Sequence, residues 1–70
     1  MIPLSMAEKG ETYKIRRISG SDKVRLHLQE MGFVVDAFIS VVTTLGDNMI
    51  ISVGDSRVAL SREIASRVMV

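Results

Sequence analysis

The sequence predicts a mainly β fold: a small antiparallel barrel of about five strands, with one α-helix between the first and second strands and short helical turns near both ends. Three observations carry that expectation. Most of the apolar residues fall in short runs such as Met49–Val53, bounded by turn chemistry at Leu45-Gly46-Asp47-Asn48 and at Gly54-Asp55. Only the stretch from Asp22 to Met31 repeats its apolar residues at helical spacing, with Val24, Leu28 and Met31 at i, i+4 and i+7. Short strands joined by tight turns close naturally as a small barrel, which leaves few free edges.

Near the N-terminus, Ser5-Met6-Ala7-Glu8 has the spacing of a capping box, in which Ser5 accepts from the Glu8 amide and Glu8 reaches back. Gly10 follows closely, so a single turn is expected there, laying Leu4 and Met6 over one end of the domain. Glu11–Ile18 reads as the first strand, with Tyr13 and Ile15 on one face and Lys14 and Arg16 on the other. Ile18 then falls opposite Ile15, which calls for a bulge or bend near Arg16-Arg17. Ser19-Gly20-Ser21 breaks the strand, and Ser21 or Asp22 caps a helix reaching about Met31. Gly32 supplies a left-handed residue to end it.

Further strands are expected at Phe38–Thr44, Met49–Val53 and Ser56–Leu60, the last two joined by the two-residue hairpin at Gly54-Asp55. Ser61 caps one helical turn through Ala65, with Glu63 near the positive end of its dipole. Arg67–Val70 returns as a last short strand.

Seventy residues are read as one domain spanning 1–70, near the size below which a core struggles to offset chain entropy. Most of the 47% apolar residues must therefore be buried, and any left in water is informative. Nine basic residues stand against eight acidic ones, and Arg16-Arg17 is the only adjacent basic pair. That balance lacks the clustered basic excess of a nucleic-acid partner. The absence of cysteine removes disulfides and thiolate metal sites and suits a reducing compartment. The first residues carry no positive segment ahead of an apolar stretch, and no apolar run approaches the roughly 20 residues that span a bilayer. A cytoplasmic protein without membrane insertion is the expectation.

Several words in this layout resemble the FeoA family of ferrous iron transport. They are Leu4-Ser5 before Gly10-Glu11, the basic strand Lys14-Ile15-Arg16-Arg17-Ile18, and Arg25 and Leu28 leading into Met31-Gly32-Phe33. Ile39-Ser40-Val41-Val42, Asn48-Met49-Ile50-Ile51-Ser52-Val53 and Ser56-Arg57-Val58-Ala59-Leu60 continue it to Ala65 and Val68. The most specific piece is the helix ending in Met31-Gly32-Phe33. The family usually carries a second glycine four residues after Gly32, often preceded by proline; here Asp36 and Val35 stand there. Asp tolerates a left-handed backbone better than most residues, so the turn is expected to survive. Arg62 is only a near match to the arginine the family often has after its alanine-leucine pair.

The resemblance implies an SH3-like barrel that accompanies the ferrous iron permease FeoB and binds its cytosolic side. Two other classes fit the same barrel. One is a protein-interaction or oligomerisation domain of a metal-dependent regulator, which a chain starting at Met1 as a freestanding module disfavours. The other is an RNA-binding small barrel, disfavoured by the near-neutral charge and by having only Tyr13, Phe33 and Phe38 for stacking. Weak self-association stays open.

For partner contact the candidates are Met31, Gly32, Phe33, Val34 and Val35, with Arg16 and Arg17 second. Large apolar side chains between elements are costly to leave in water, at roughly 1.5–3 kcal/mol each. Either Phe33 plugs the barrel mouth, or part of the segment is a docking patch; alternation would turn one of Val34 and Val35 outward. Arg16-Arg17 reads either as a contact for an acidic partner or as solvated charge guarding a strand edge. The methionines read first as core filler, although methionine at a surface makes adaptable contacts.

No catalytic residues and no cofactor are expected. Ser5, Ser21, Ser56 and Ser61 occupy caps and turns, Asp47 and Asp55 occupy turns, and a solitary histidine builds no triad. A metal site needs three or four donors, and His27 would have to recruit carboxylates such as Glu30 or Asp22. Its plainer reading is a solvated helix histidine. Anaerobic calorimetry with Fe(II) should therefore detect no one-to-one site on the monomer; a micromolar site abolished by His27→Ala would contradict this.

Overall fold

The first predicted strand is divided between two sheets in the computed structural model, which describes residues 1–70. Its halves are β1 (Thr12–Lys14) and β2 (Arg17–Ile18). After them come α1 (Asp22–Glu30), β3 (Phe38–Leu45), β4 (Asn48–Val53), β5 (Ser56–Ser61), α2 (Arg62–Ala65) and β6 (Val68–Met69). These strands pair antiparallel, in one sheet ordered β1-β3-β4-β5 and a second of β2 with β6.

Adjacent amides set the division. Ile15 N–H donates to the Ala37 carbonyl at 2.9 Å, beside β3, whereas Arg16 N–H donates to the Met69 carbonyl of β6 at 2.8 Å. The bend expected near Arg16-Arg17 is thus a change of sheet. The bulge itself lies in β3, where the register against β4 slips between Val41 and Thr43 and curls the larger sheet.

Both hairpins have two-residue connections, Leu45 facing Asn48 and Val53 facing Ser56. Gly46 and Gly54 take positive φ at the first position of each, the pattern of type II′ turns that match strand twist. Side-chain caps start the helices as expected. Ser21 Oγ accepts from Val24 N–H at 3.2 Å, and Ser61 Oγ from Ile64 N–H at the same distance.

The capping box at Ser5 does not form. Leu4–Met6 is a 3₁₀ turn capped by Pro3, with no side-chain cap, so Ser5 lies inside the turn rather than ahead of it. Proline at φ −66° fixes the entry two residues earlier than a serine cap would. Glu8 N–H donates instead to Tyr13 Oη at 3.0 Å, tying the loop to β1. Leu4 is buried as expected, but Met6 is exposed.

Thirteen side chains are buried, all of them apolar, so the core contains no polar group in need of a partner. Alternate residues of β4 supply Met49, Ile51 and Val53, and Ile39 and Val41 of β3 face them. From the helix side come Leu28 and Phe33, both fully buried.

Gly32 ends α1 in a Schellman arrangement. Phe33 N–H donates to the Leu28 carbonyl and Gly32 N–H to the Gln29 carbonyl, each at 3.0 Å, with Gly32 at φ +98°. A β-carbon on Gly32 would suffer that backbone angle and would also meet Val53 Cγ2 at 3.3 Å. Gly32→Ala should therefore cost about 1–2 kcal/mol, the scale for a side chain forced into a left-handed position. At this chain size, that lowers Tm by roughly 4–8 °C per kcal/mol. An unchanged thermal midpoint would show that the helix can stop in another way.

Candidate functional site

Left-handed backbone at two positions shapes the segment after α1. Gly32 turns the chain so that Phe33 enters the core. Ala37 N–H then donates to the Val34 carbonyl at 3.1 Å, closing a four-residue turn with Val35 and Asp36 at its centre. Asp36 has φ +75° and is the only residue other than glycine with a positive φ. A turn with positive φ at its third residue is of type II, which favours proline at the second position and glycine at the third. This accounts physically for the glycine, often preceded by proline, usual at these positions in the family that the sequence resembles. Here Val35 and Asp36 make the same turn. Lys14 Nζ lies 3.5 Å from Asp36 Oδ1, an exposed pair that adds little energy.

Because this segment is a turn and not a strand, the expected alternation of Val34 and Val35 fails. Both side chains are outside, 42% and 54% exposed. Phe33 is the barrel plug, fully buried, and the valines beside it form an apolar surface.

That surface is one wall of a groove of about 530 Å³. Phe33, Val34 and Val35 contribute from the turn, and Ile18 from β2. The opposite wall belongs to α1, through Asp22, Arg25, Leu26 and Gln29. Leu26 is 56% exposed and stands off the helix's inner stripe. Its apolar surface and that of the valines therefore lie on two sides of one depression.

Of the residues singled out from sequence, Phe33, Val34 and Val35 line the groove. Met31 is half-buried as the C-cap of α1, and Gly32 acts through its backbone. Neither lines the groove. Arg16, just before β2, and Arg17, its first residue, are both exposed, and Ile18, which does line the groove, follows directly. Sequence reasoning missed Ile18, and it missed the four lining residues of α1, Asp22, Arg25, Leu26 and Gln29. A signal for these four existed: they stand at i, i+3, i+4 and i+7, a second helix face on which Leu26 is the lone leucine.

Nothing in the groove forms a cluster of titratable groups suited to proton or metal chemistry. No three of the histidine and carboxylate side chains converge, and His27 is exposed on α1. The arrangement offers shape, apolar surface and one charge of each sign. No helix is long and apolar enough to cross a membrane.

The FeoA domain model matches residues 2–70. Among solved structures, an iron uptake regulatory protein (FeoA) is 34% identical with a TM-score of 0.88; the match covers 96% of this chain and 91% of that one. FeoA of Stenotrophomonas maltophilia, solved with zinc and described as a prokaryotic SH3 domain protein, is 24% identical with a TM-score of 0.86, covering 99% and 88%. A manganese-dependent transcriptional repressor is 17% identical with a TM-score of 0.86, and the chain spans 38% of its length. The last two likenesses concern the fold alone. Among curated protein sequences the chain has no match. With the family model covering nearly every residue, and an SH3-like barrel of the expected strand and helix order, the chain belongs to the FeoA family, small accessory domains of ferrous iron transport.

Proposed function

We propose that this chain acts in the cytoplasm by binding the ferrous iron permease FeoB, and that the groove between α1 and the Phe33–Val35 turn is the docking face. One observation carries the reading. In a chain whose thirteen buried residues are all apolar, Leu26, Val34 and Val35 are left in water on the two walls of one depression. Exposed apolar side chains gathered at a concave site mark a binding surface more often than scattered ones do.

Recognition alone would suffice for an accessory role. A module that binds one conformation of a permease better than another shifts its equilibrium by the difference in affinity, with no chemistry of its own. The reading therefore includes no catalytic step. Iron enters it as the cargo of the partner and not as a ligand of this chain.

The fold likeness to a manganese-dependent repressor supports a second reading, in which the barrel serves a metal-dependent regulator. The two differ in partner, and the same variants address both. An RNA-binding role is poorly served by the groove, since its aromatic residue, Phe33, has no exposed face on which a base can stack.

Val34→Asp and Val35→Asp test the docking face. Both positions are exposed, so each variant should keep the wild-type circular dichroism and thermal midpoint. A carboxylate carried into a desolvated contact is costly, so binding to the soluble cytosolic region of the permease should weaken about tenfold or more by calorimetry. Wild-type affinity in both folded variants would move the docking face elsewhere, with the Arg16-Arg17 strand next in line.

A further inference from the structure

The chain's net positive charge lies at the end of the barrel that holds the groove. β2 and α1 pack there with Arg67: Ser19 N–H donates to the Arg67 carbonyl at 2.8 Å, and Arg67 Cδ lies 3.7 Å from where a β-carbon on Gly20 would stand. Arg16, Arg17, Lys23, Arg25 and Arg67 are five of the nine cations, and Asp22 and Glu30 are only two of the eight acids. Asp36, in the turn beside Val35, is a third acid at this end, but Lys14 pairs with it. Three cations and five acids remain for the rest of the chain, so a net charge of +1 conceals a basic end and an acidic remainder. All five of these cations are exposed. None is engaged in an ion pair, since the one salt bridge joins Lys14 to Asp36.

Unpaired cations beside an apolar depression select a partner by charge as well as by shape. Charge complementarity steers encounter and rejects partners of like sign, and it acts only within about a Debye length, near 10 Å at 0.1 M salt. Arg25 lines the groove itself, and Arg17 immediately precedes the lining residue Ile18. We infer that the segment filling the groove is an acidic amphipathic peptide. Its apolar side chains rest on Leu26, Val34 and Val35, and its carboxylates face Arg17, Arg25 and Arg67. The inference rests on the docking reading above and adds the chemistry of what docks. A concave site between a helix and a turn suits a peptide better than a flat anionic bilayer.

The test does not depend on the identity of the partner. A phage-displayed library of random 15-residue peptides is selected on the intact protein. Sequences that still bind the Val34→Asp/Val35→Asp double variant are discarded. The retained peptides should combine apolar residues with net negative charge. Measured singly, they should bind Arg17→Glu/Arg25→Glu/Arg67→Glu about tenfold or more weakly, and wild type more weakly in 500 mM than in 50 mM NaCl. Retained peptides that are neutral or basic would overturn the inference, as would acidic peptides held equally well by the charge-reversed protein. So would failure to retain any groove-dependent sequence. Phosphatidylglycerol vesicles and oligouridylate serve as parallel probes; if either binds in an arginine-dependent way while no acidic peptide does, the charge serves a lipid or RNA and the inference falls. Failure of the permease alone to bind would count against the proposed partner and leave the peptide result standing.

Discussion

The hydrogen bond from Phe33 N–H to the Leu28 carbonyl, made across a left-handed Gly32, holds the rest of the architecture in place. It stops α1 after Glu30 and sends the next side chain inward, where Phe33 and Leu28 are both fully buried in the shared core. With Phe33 committed to the interior, the chain has four residues in which to reach β3. It does so through a turn that a strand-like path could not make. The exposure of both Val34 and Val35 follows from that turn, and so does one wall of the groove. Core packing and the candidate surface are in this sense one structure: the residue that plugs the barrel fixes the angle at which its neighbours leave it.

How far this was legible in the sequence depended on the range of the interactions involved. The helix was plain because Ser21, the Val24-Leu28-Met31 spacing and Gly32 act within a few residues of one another. The hairpins were plain for the same reason, through Gly46 and Gly54. The division of the first strand was legible only as a fault in alternation. Whether a bulge or a change of sheet resolves it depends on Ala37 and Met69, which are distant in sequence. The false capping box at Ser5 shows the opposite error, a local pattern overruled by Pro3 two residues upstream. For the site, the sequence marked the Phe33–Val35 wall through its cost in water. The α1 wall went unread because attention to the inner stripe of the helix hid a second one, in which Leu26 is surrounded by polar residues.

The energetic design is economical in one further respect. A chain this small retains a net stability of only a few kcal/mol after conformational entropy is counted, so apolar surface left outside the core has a real cost. Three of the eight exposed large apolar side chains, Leu26, Val34 and Val35, stand on the rim of one depression, where their share of that cost can be recovered on binding. The five unpaired cations at the same end leave the depression bordered by charge of one predominant sign. Asp36 illustrates the tolerance of the scaffold: the turn it occupies takes its left-handed angle without glycine.

The central claim is that recognition takes place at the groove between α1 and the Phe33–Val35 turn. Its most direct test is amide chemical-shift mapping of the ¹⁵N-labelled protein during titration with the unlabelled soluble cytosolic region of the ferrous permease. The account predicts that shifts and line broadening concentrate at Leu26, Gln29, Val34 and Val35. Perturbations gathered instead along the free edge of β5, at Arg57 and Ala59, with the groove amides unmoved, would contradict it.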